Sequence, residues 1–178
     1  VNGVAVDTPY PVILNNTRYH REMAALFFQH MFGVNGGIFE MIRYGYVLAI
    51  LDARGTGSSY GSRVDFFSDQ ENEDTYDIIE WLGRQPWSNG KVGMFGLSYM
   101  GITQYFAASK APPSLKAIMP LMPVYDQYTN FSPGGVFQGS FPEVWGATTY
   151  ILDTWTVPYG FILPATPVDE DTDGSMLA

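Results

Sequence analysis

The sequence predicts an α/β protein with a mainly parallel sheet, and three observations carry that prediction. Short, nearly all-apolar runs alternate with helix-like segments along the 178 residues, the pattern of strands returned side by side through right-handed crossovers. The apolar runs do not alternate polar with apolar, so both faces of the sheet are expected to be covered. One run feeds without a break into Ser98, bracketed by glycines, and then into a helix-like stretch; open α/β sheets carry their sites at the C-terminal ends of strands.

The elements follow in order. Pro11 to Asn15 is the first β-rich run, Tyr44 to Leu51 the second, Val92 to Phe95 the third and Lys116 to Leu121 the fourth. Between the second and third, Glu71 to Leu82 gathers Thr75, Ile78, Ile79 and Leu82 on one face, with Glu73, Asp74, Asp77 and Glu80 mostly elsewhere. That is the period of an amphipathic helix. Ser68 and Glu71 have the spacing of a capping box ahead of it, and Pro86 requires the helix to have stopped. After Pro123 the pattern changes, and residues 124–165 are rich in Tyr, Phe, Trp, Gly and Pro without a clear period. This stretch reads as an excursion away from the sheet.

Composition excludes several classes of partner. Eighteen acidic groups against nine basic ones give a formal charge of −9, which disfavours nucleic acid and anionic membrane surfaces. No apolar run approaches the roughly 18–20 residues of a membrane-spanning helix, so the chain reads as soluble. The absence of cysteine removes disulfides, thiol catalysis and cysteine metal sites together. It leaves the compartment open, with the cytoplasm as the default.

The run Lys91-Val92-Gly93-Met94-Phe95-Gly96-Leu97-Ser98-Tyr99-Met100-Gly101 has the form of a nucleophile elbow, strand then serine then helix. The serine of an elbow sits on a sharp, strained turn, and side chains at Gly96 or Gly101 would collide with the neighbouring strand and helix. Ser98 is therefore the candidate nucleophile. Serine needs a base to take its proton, so an elbow predicts a histidine within reach and an acid to orient it, in the chain order Ser, acid, His. Both histidines, His20 and His30, precede Ser98. His30 lies in the apolar Phe27-Phe28-Gln29-His30-Met31-Phe32 and reads as structural. His20, in a polar loop after the first strand, does not fit the chain order of a base.

Acyl transfer also needs donors for the developing oxyanion. The backbone N–H of Tyr99, directly after the serine, is one by geometry. The second is expected from the loop Asn16-Thr17-Arg18-Tyr19-His20-Arg21-Glu22, where Tyr19 offers a phenol O–H; ordinary packing is the other reading of that side chain. A third marker is Asp52-Ala53-Arg54-Gly55-Thr56-Gly57-Ser58-Ser59-Tyr60-Gly61. It lacks the Gly-Lys-Ser/Thr ending of a phosphate cradle, and Asp52 and Arg54 are expected to form an ion pair that holds this loop beside the elbow. The acidic cluster of Asp169, Glu170, Asp171 and Asp173 reads as a solvated turn. The aromatic residues between 125 and 161 suit either an apolar pocket or interdomain packing.

Asp52-Ala53-Arg54-Gly55-Thr56-Gly57-Ser58, Asp77-Ile78-Ile79-Glu80-Trp81-Leu82 and the stretch from Gln85 through Gly101 together closely resemble the X-prolyl dipeptidyl-peptidase and cocaine esterase family of α/β-hydrolases. Leu115-Lys116-Ala117-Ile118 and Pro167-Val168-Asp169 are similar to it as well. The resemblance implies Ser98 as nucleophile, with the Tyr99 N–H and the Tyr19 hydroxyl as oxyanion donors. It implies an α/β-hydrolase sheet, a helical cap inserted after the sixth strand and a C-terminal jelly roll. The four strands become the third to sixth of that sheet, residues 1–124 a partial core and residues 125–178 the start of the cap. The catalytic Asp and His then fall outside the chain, which reads as an internal fragment; Asp126 stands at the cap entrance and does not take the acid role.

The expected chemistry is acyl-enzyme hydrolysis of an ester, an amide or an X-Pro peptide by the parent protein, on a small molecule or short peptide. No cofactor or metal is expected, and self-association stays open. A catalytically silent module of the same fold, serving to bind or to build, is the competing reading.

Overall fold

Residues 8–24, 39–63 and 65–154 are described by the computed structural model. Four strands form one parallel sheet: β1 (Tyr10–Thr17), β2 (Val47–Asp52), β3 (Ser88–Leu97) and β4 (Leu115–Leu121), in the order β2-β1-β3-β4. Helices with both ends among the described residues are α1 (Glu40–Arg43), α2 (Asp69–Gly83), α3 (Tyr99–Ser109), α4 (Gln127–Phe131) and α5 (Ser140–Thr154), with a 3₁₀ turn at Pro133–Gly135; residues 21–24 are helical as well. All four sequence-predicted strands are present, and the sheet is the α/β architecture expected.

β2 starts later than its apolar run because α1 ends in a Schellman turn. Gly45 takes φ 82°, its N–H donates to Ile42 O (3.1 Å), and the Tyr46 N–H donates to Met41 O (3.2 Å). This pairing uses up the residues from Tyr44 to Tyr46 and satisfies the last carbonyls of the helix.

The core sits where β1 and β3 meet α2. Val12 pairs with Val92 and Leu14 with Met94 across the sheet. All four are buried against Ile79 and Leu82 of α2 and Ala107 of α3. Each such apolar side chain stabilises by about 1.5–3 kcal/mol when fully buried. The opposite face packs Phe95, Leu48 and Ile50 with Met41, Ala24 and Met100. Covering on both faces holds for these central strands. It does not hold for β4, one of the two outer strands, where Lys116, Ala117 and Met119 are exposed.

Ser68 caps α2, its Oγ accepting the Glu71 N–H at 3.3 Å. The reciprocal half of the box goes one residue further back, since Glu71 Oε2 accepts from Phe67 N (3.2 Å). Thr75, Ile79 and Leu82 are buried on the predicted face.

β1 ends on three buried polar residues, Asn15, Asn16 and Thr17. Asn15 Nδ2 donates to Phe95 O (2.7 Å) and Asn16 Nδ2 to Thr75 Oγ1 (2.9 Å), which ties the end of β1 to β3 and α2. The loop that follows is fastened to α5 at three consecutive residues. Arg18 Nη2 donates to Asp153 Oδ2 (2.7 Å), the Tyr19 phenol oxygen accepts from Trp145 Nε1 (2.9 Å), and His20 Nε2 lies 3.2 Å from Leu152 O.

Candidate active site

β3 runs into α3 through a single residue. Ser98 has φ 58° and ψ −118°, a conformation that costs an L-residue about 1–3 kcal/mol and persists only when its surroundings impose it. They do so through the backbone: the Ser98 N–H donates to Leu121 O of β4 (2.9 Å), and its carbonyl accepts from Gly101 N (2.8 Å) and Ile102 N (2.9 Å). The glycines on either side make room. A Cβ at Gly96 would lie within 3.0 Å of Asn15 Nδ2 and inside contact distance of Met100, and one at Gly101 would lie 3.0 Å from Leu121 O.

The second glycine stands three residues after the serine, so the motif is Gly-x-Ser-x-x-Gly, one position longer than the usual Gly-x-Ser-x-Gly. Met100 fills the extra place and is buried, packed with Ala24 on the second face of the sheet. The close approach of strand and helix is met at Gly101 instead.

Tyr99 opens α3, so its backbone N–H has no intrahelical acceptor and lies at the positive end of the helix dipole. Its side chain turns away into the protein and is 2% exposed. The hydroxyl donates to Glu71 Oε1, and the ring stacks on Phe67 with centroids 4.5 Å apart. Burial first, then the Glu71 carboxylate, push the phenol pKa far above its ordinary value. Tyr99 thus stays a neutral donor.

Tyr19 meets the Tyr99 ring edge-on, centroids 6.1 Å apart at 73°. Tyr19, Ser98 and Tyr99 line one cavity of about 550 Å³, so the structure brings together all three residues singled out from the sequence. The rest of the wall is aromatic and aliphatic, with Phe66, Phe67, Ile102, Phe131 and Trp145 prominent, while Asp65 and Gln127 add polar groups. Such a site offers a serine on a half-buried turn, a helix N-terminus and a phenol to one bound group.

Residues 5–159 match the sequence family described as X-Pro dipeptidyl-peptidase (S15 family). The chain belongs to that family. It is 32% identical over 192 aligned positions to a Mycobacterium bovis protein named as a serine esterase, an alignment that covers 98% of this chain and 31% of that protein. It is 39% identical to the cocaine esterase of Rhodococcus sp. over 61% of this chain and 19% of the esterase. Among solved structures, a CocE/NonD family hydrolase of Staphylococcus aureus superposes with a TM-score of 0.69 at 29% identity, covering 84% of this chain and 29% of that one. The chain therefore spans under a third of the length of these relatives, and its parallel sheet is an α/β-hydrolase sheet of the CocE/NonD kind.

Other sequence expectations fare differently in this S15 chain. His20 is 1% exposed and turned to Leu152 O, and no hydrogen bond joins it to Ser98 among the described residues. His30, the acidic cluster from Asp169 to Asp173 and the Pro167-Val168-Asp169 match lie outside the described residues. Asp126 caps α4, accepting from Tyr128 N at 3.0 Å.

The expected Asp52–Arg54 ion pair is not formed. Arg54 instead grips Asp74 of α2 with two bonds, Nε to Oδ2 (2.6 Å) and Nη2 to Oδ1 (2.5 Å). Asp52 turns inward and accepts two backbone N–H groups, Arg21 N (2.6 Å) and Ser58 N (3.0 Å). A buried carboxylate is better served by fixed amides on both sides than by a long side chain reaching from the surface. Desolvation still raises the Asp52 pKa above the usual value, against the pull of those two amides.

Sequence reasoning missed Glu71, Arg18 and Trp145. Glu71 carried a signal as the capping-box acid, but nothing in the sequence ties it to Tyr99. Trp145 stood in an aperiodic aromatic stretch, and only the fold brings it to Tyr19, 126 positions earlier.

Proposed function

We propose that this chain is the nucleophile-bearing part of a longer serine hydrolase that acts through an acyl-enzyme on Ser98. The observation that carries the reading is Ser98 at positive φ on a strand-to-helix turn, lining the same cavity as Tyr19 and the start of α3. In the reaction, Ser98 Oγ attacks the substrate carbonyl carbon while a histidine takes the hydroxyl proton. The Tyr99 N–H and Tyr19 O–H hold the oxyanion, which then collapses and expels the alcohol or amine, protonated by that histidine. Water, deprotonated by the same base, attacks the acyl carbon; the bond from that carbon to Ser98 Oγ breaks, the histidine returns the proton to Ser98 Oγ, and the acid leaves. The histidine and its acid partner belong, in this proposal, to parts of the parent beyond this sequence, in keeping with the share of its relatives that the chain spans. Residues 1–124 would be core and 125–178 the start of a cap over the cavity.

The aromatic wall favours an ester or amide with an apolar acyl group. Asp65 on the same wall keeps an X-Pro peptide in view, because a dipeptidyl-peptidase must hold a substrate ammonium. The test uses the full-length protein with a fluorophosphonate, an aryl ester and an X-Pro anilide. Labelling that disappears in S98A, with turnover of at least one substrate, supports the proposal. Failure of the folded protein to label would leave the silent binding module as the reading.

A further inference from the structure

The geometry points to Trp145 as the positioning residue of the Tyr19 hydroxyl, and the inference rests on the reading of Tyr19 as an oxyanion donor. The indole N–H can only donate. Its bond to the Tyr19 phenol oxygen (2.9 Å) therefore occupies an acceptor side of that oxygen and leaves the phenol hydrogen uncommitted. Among the described residues no group accepts that hydrogen, and Tyr19 lines the cavity with Ser98. The donor is thus fixed in place and held unspent. A hydrogen bond received at the oxygen also polarises the O–H, which strengthens the bond it can give to a developing anion.

The indole is itself held on several sides. Phe66 packs on it at 4.7 Å between centroids, and the Arg18 guanidinium sits 5.3 Å from its centroid and 5.2 Å from that of Phe66. Arg18 is fully buried and anchored to Asp153, two turns further along α5 from Trp145. Arg18 and Tyr19 are adjacent in the loop, and their partners stand on one face of α5. The loop and helix are therefore registered against each other at two points, and a shift of α5 would carry the oxyanion donor with it.

The experiment is a double-mutant cycle in the full-length protein with an ester substrate. W145F removes the N–H; replacing Trp145 biosynthetically by benzothienylalanine removes it while keeping the bicyclic ring, so a folding defect in one variant does not decide the matter. Each is expected to lower kcat about 3–10-fold, the range of one neutral hydrogen bond, with KM nearly unchanged. Y19F should lower kcat by more, roughly 100-fold as for other oxyanion donors, and neither change at 145 should slow Y19F further. Losses that persist undiminished in the Y19F background, a change in KM alone, or no change at all would overturn the inference while leaving the role of Tyr19 intact. Wild-type kcat in Y19F, with S98A inactive, would remove the oxyanion reading and the inference with it.

Discussion

The Tyr99 hydroxyl donates to the Glu71 carboxylate, and both residues are buried. Glu71 stands in the first turn of α2 and Tyr99 is the first residue of α3. The other Glu71 oxygen takes the Phe67 N–H, while the Phe67 ring stacks on Tyr99. One carboxylate thus fixes where two helices begin, and one of those beginnings is the residue after Ser98. A capping interaction, ordinarily local, here ties the start of α2 to the start of α3.

Y99F removes the donor but keeps the ring and the backbone N–H. A buried carboxylate that loses a partner costs about 1.5–3 kcal/mol, so the urea midpoint of the full-length protein should fall at unchanged m-value. Where the variant is folded, Ser98 should still label with a fluorophosphonate, because the amide at position 99 remains. An unchanged midpoint would mean that the Glu71 contact contributes nothing to the fold.

The Asp52 loop separates a surface pair from a buried one. Arg54 and Asp74 are each about a third exposed, at 32% and 30%, and such pairs contribute about 0–1 kcal/mol. R54A should therefore move the midpoint little. Gly57 is different, because it takes φ 53° and a Cβ there would fall within the Asp52 carboxylate. G57A should destabilise by more than R54A, and about 1–3 kcal/mol is expected for an L-residue forced to positive φ. Equal effects in thermal melts would show that the loop relaxes around the added methyl.

How much of this was legible beforehand depended on the range of the interaction. The sheet, the α2 face and the elbow follow from local patterns, since apolar runs, helical period and glycine placement are read within a dozen residues. The Asp52–Arg54 pairing failed because proximity in sequence is weak evidence of contact in a loop, where Arg54 reaches across to α2 and Asp52 finds amides. Trp145 and Arg18 were invisible for a related reason. Their partners lie 126 and 135 positions away, and an aromatic stretch without period gives no sign of which ring faces a site.

The raised Asp52 pKa makes a signed prediction. Because the folded value lies above the unfolded value of about 3.9, the native state holds the proton more tightly. The contribution of this titration is greatest below the unfolded value and declines as pH rises through the raised folded value. The stability of wild type minus that of D52N should therefore shrink as pH rises through that window and then level off, as read from urea midpoints. A difference that grows with pH would mean that the Arg21 and Ser58 amides outweigh burial.

The strain at Ser98 is open to a direct measurement that separates backbone from chemistry. S98A keeps the Cβ and the φ of 58° but loses the hydroxyl, so its stability should stay near wild type. S98G also removes the hydroxyl and, in addition, relieves the conformation, since glycine adopts positive φ without steric penalty. Relief of about 1–3 kcal/mol is offset by about 0.5–1 kcal/mol of glycine entropy. S98G should then be the more stable of the two by about 1 kcal/mol, while both fail to label with a fluorophosphonate. If S98A and S98G melt together, the strain only matches the glycine penalty of about 0.5–1 kcal/mol, and an S98G less stable than S98A by that amount would mean that the turn is not strained. If S98G is the more stable, the protein gives up stability at a serine that lines the cavity, which is what a nucleophile on a sharp turn requires and a silent scaffold does not.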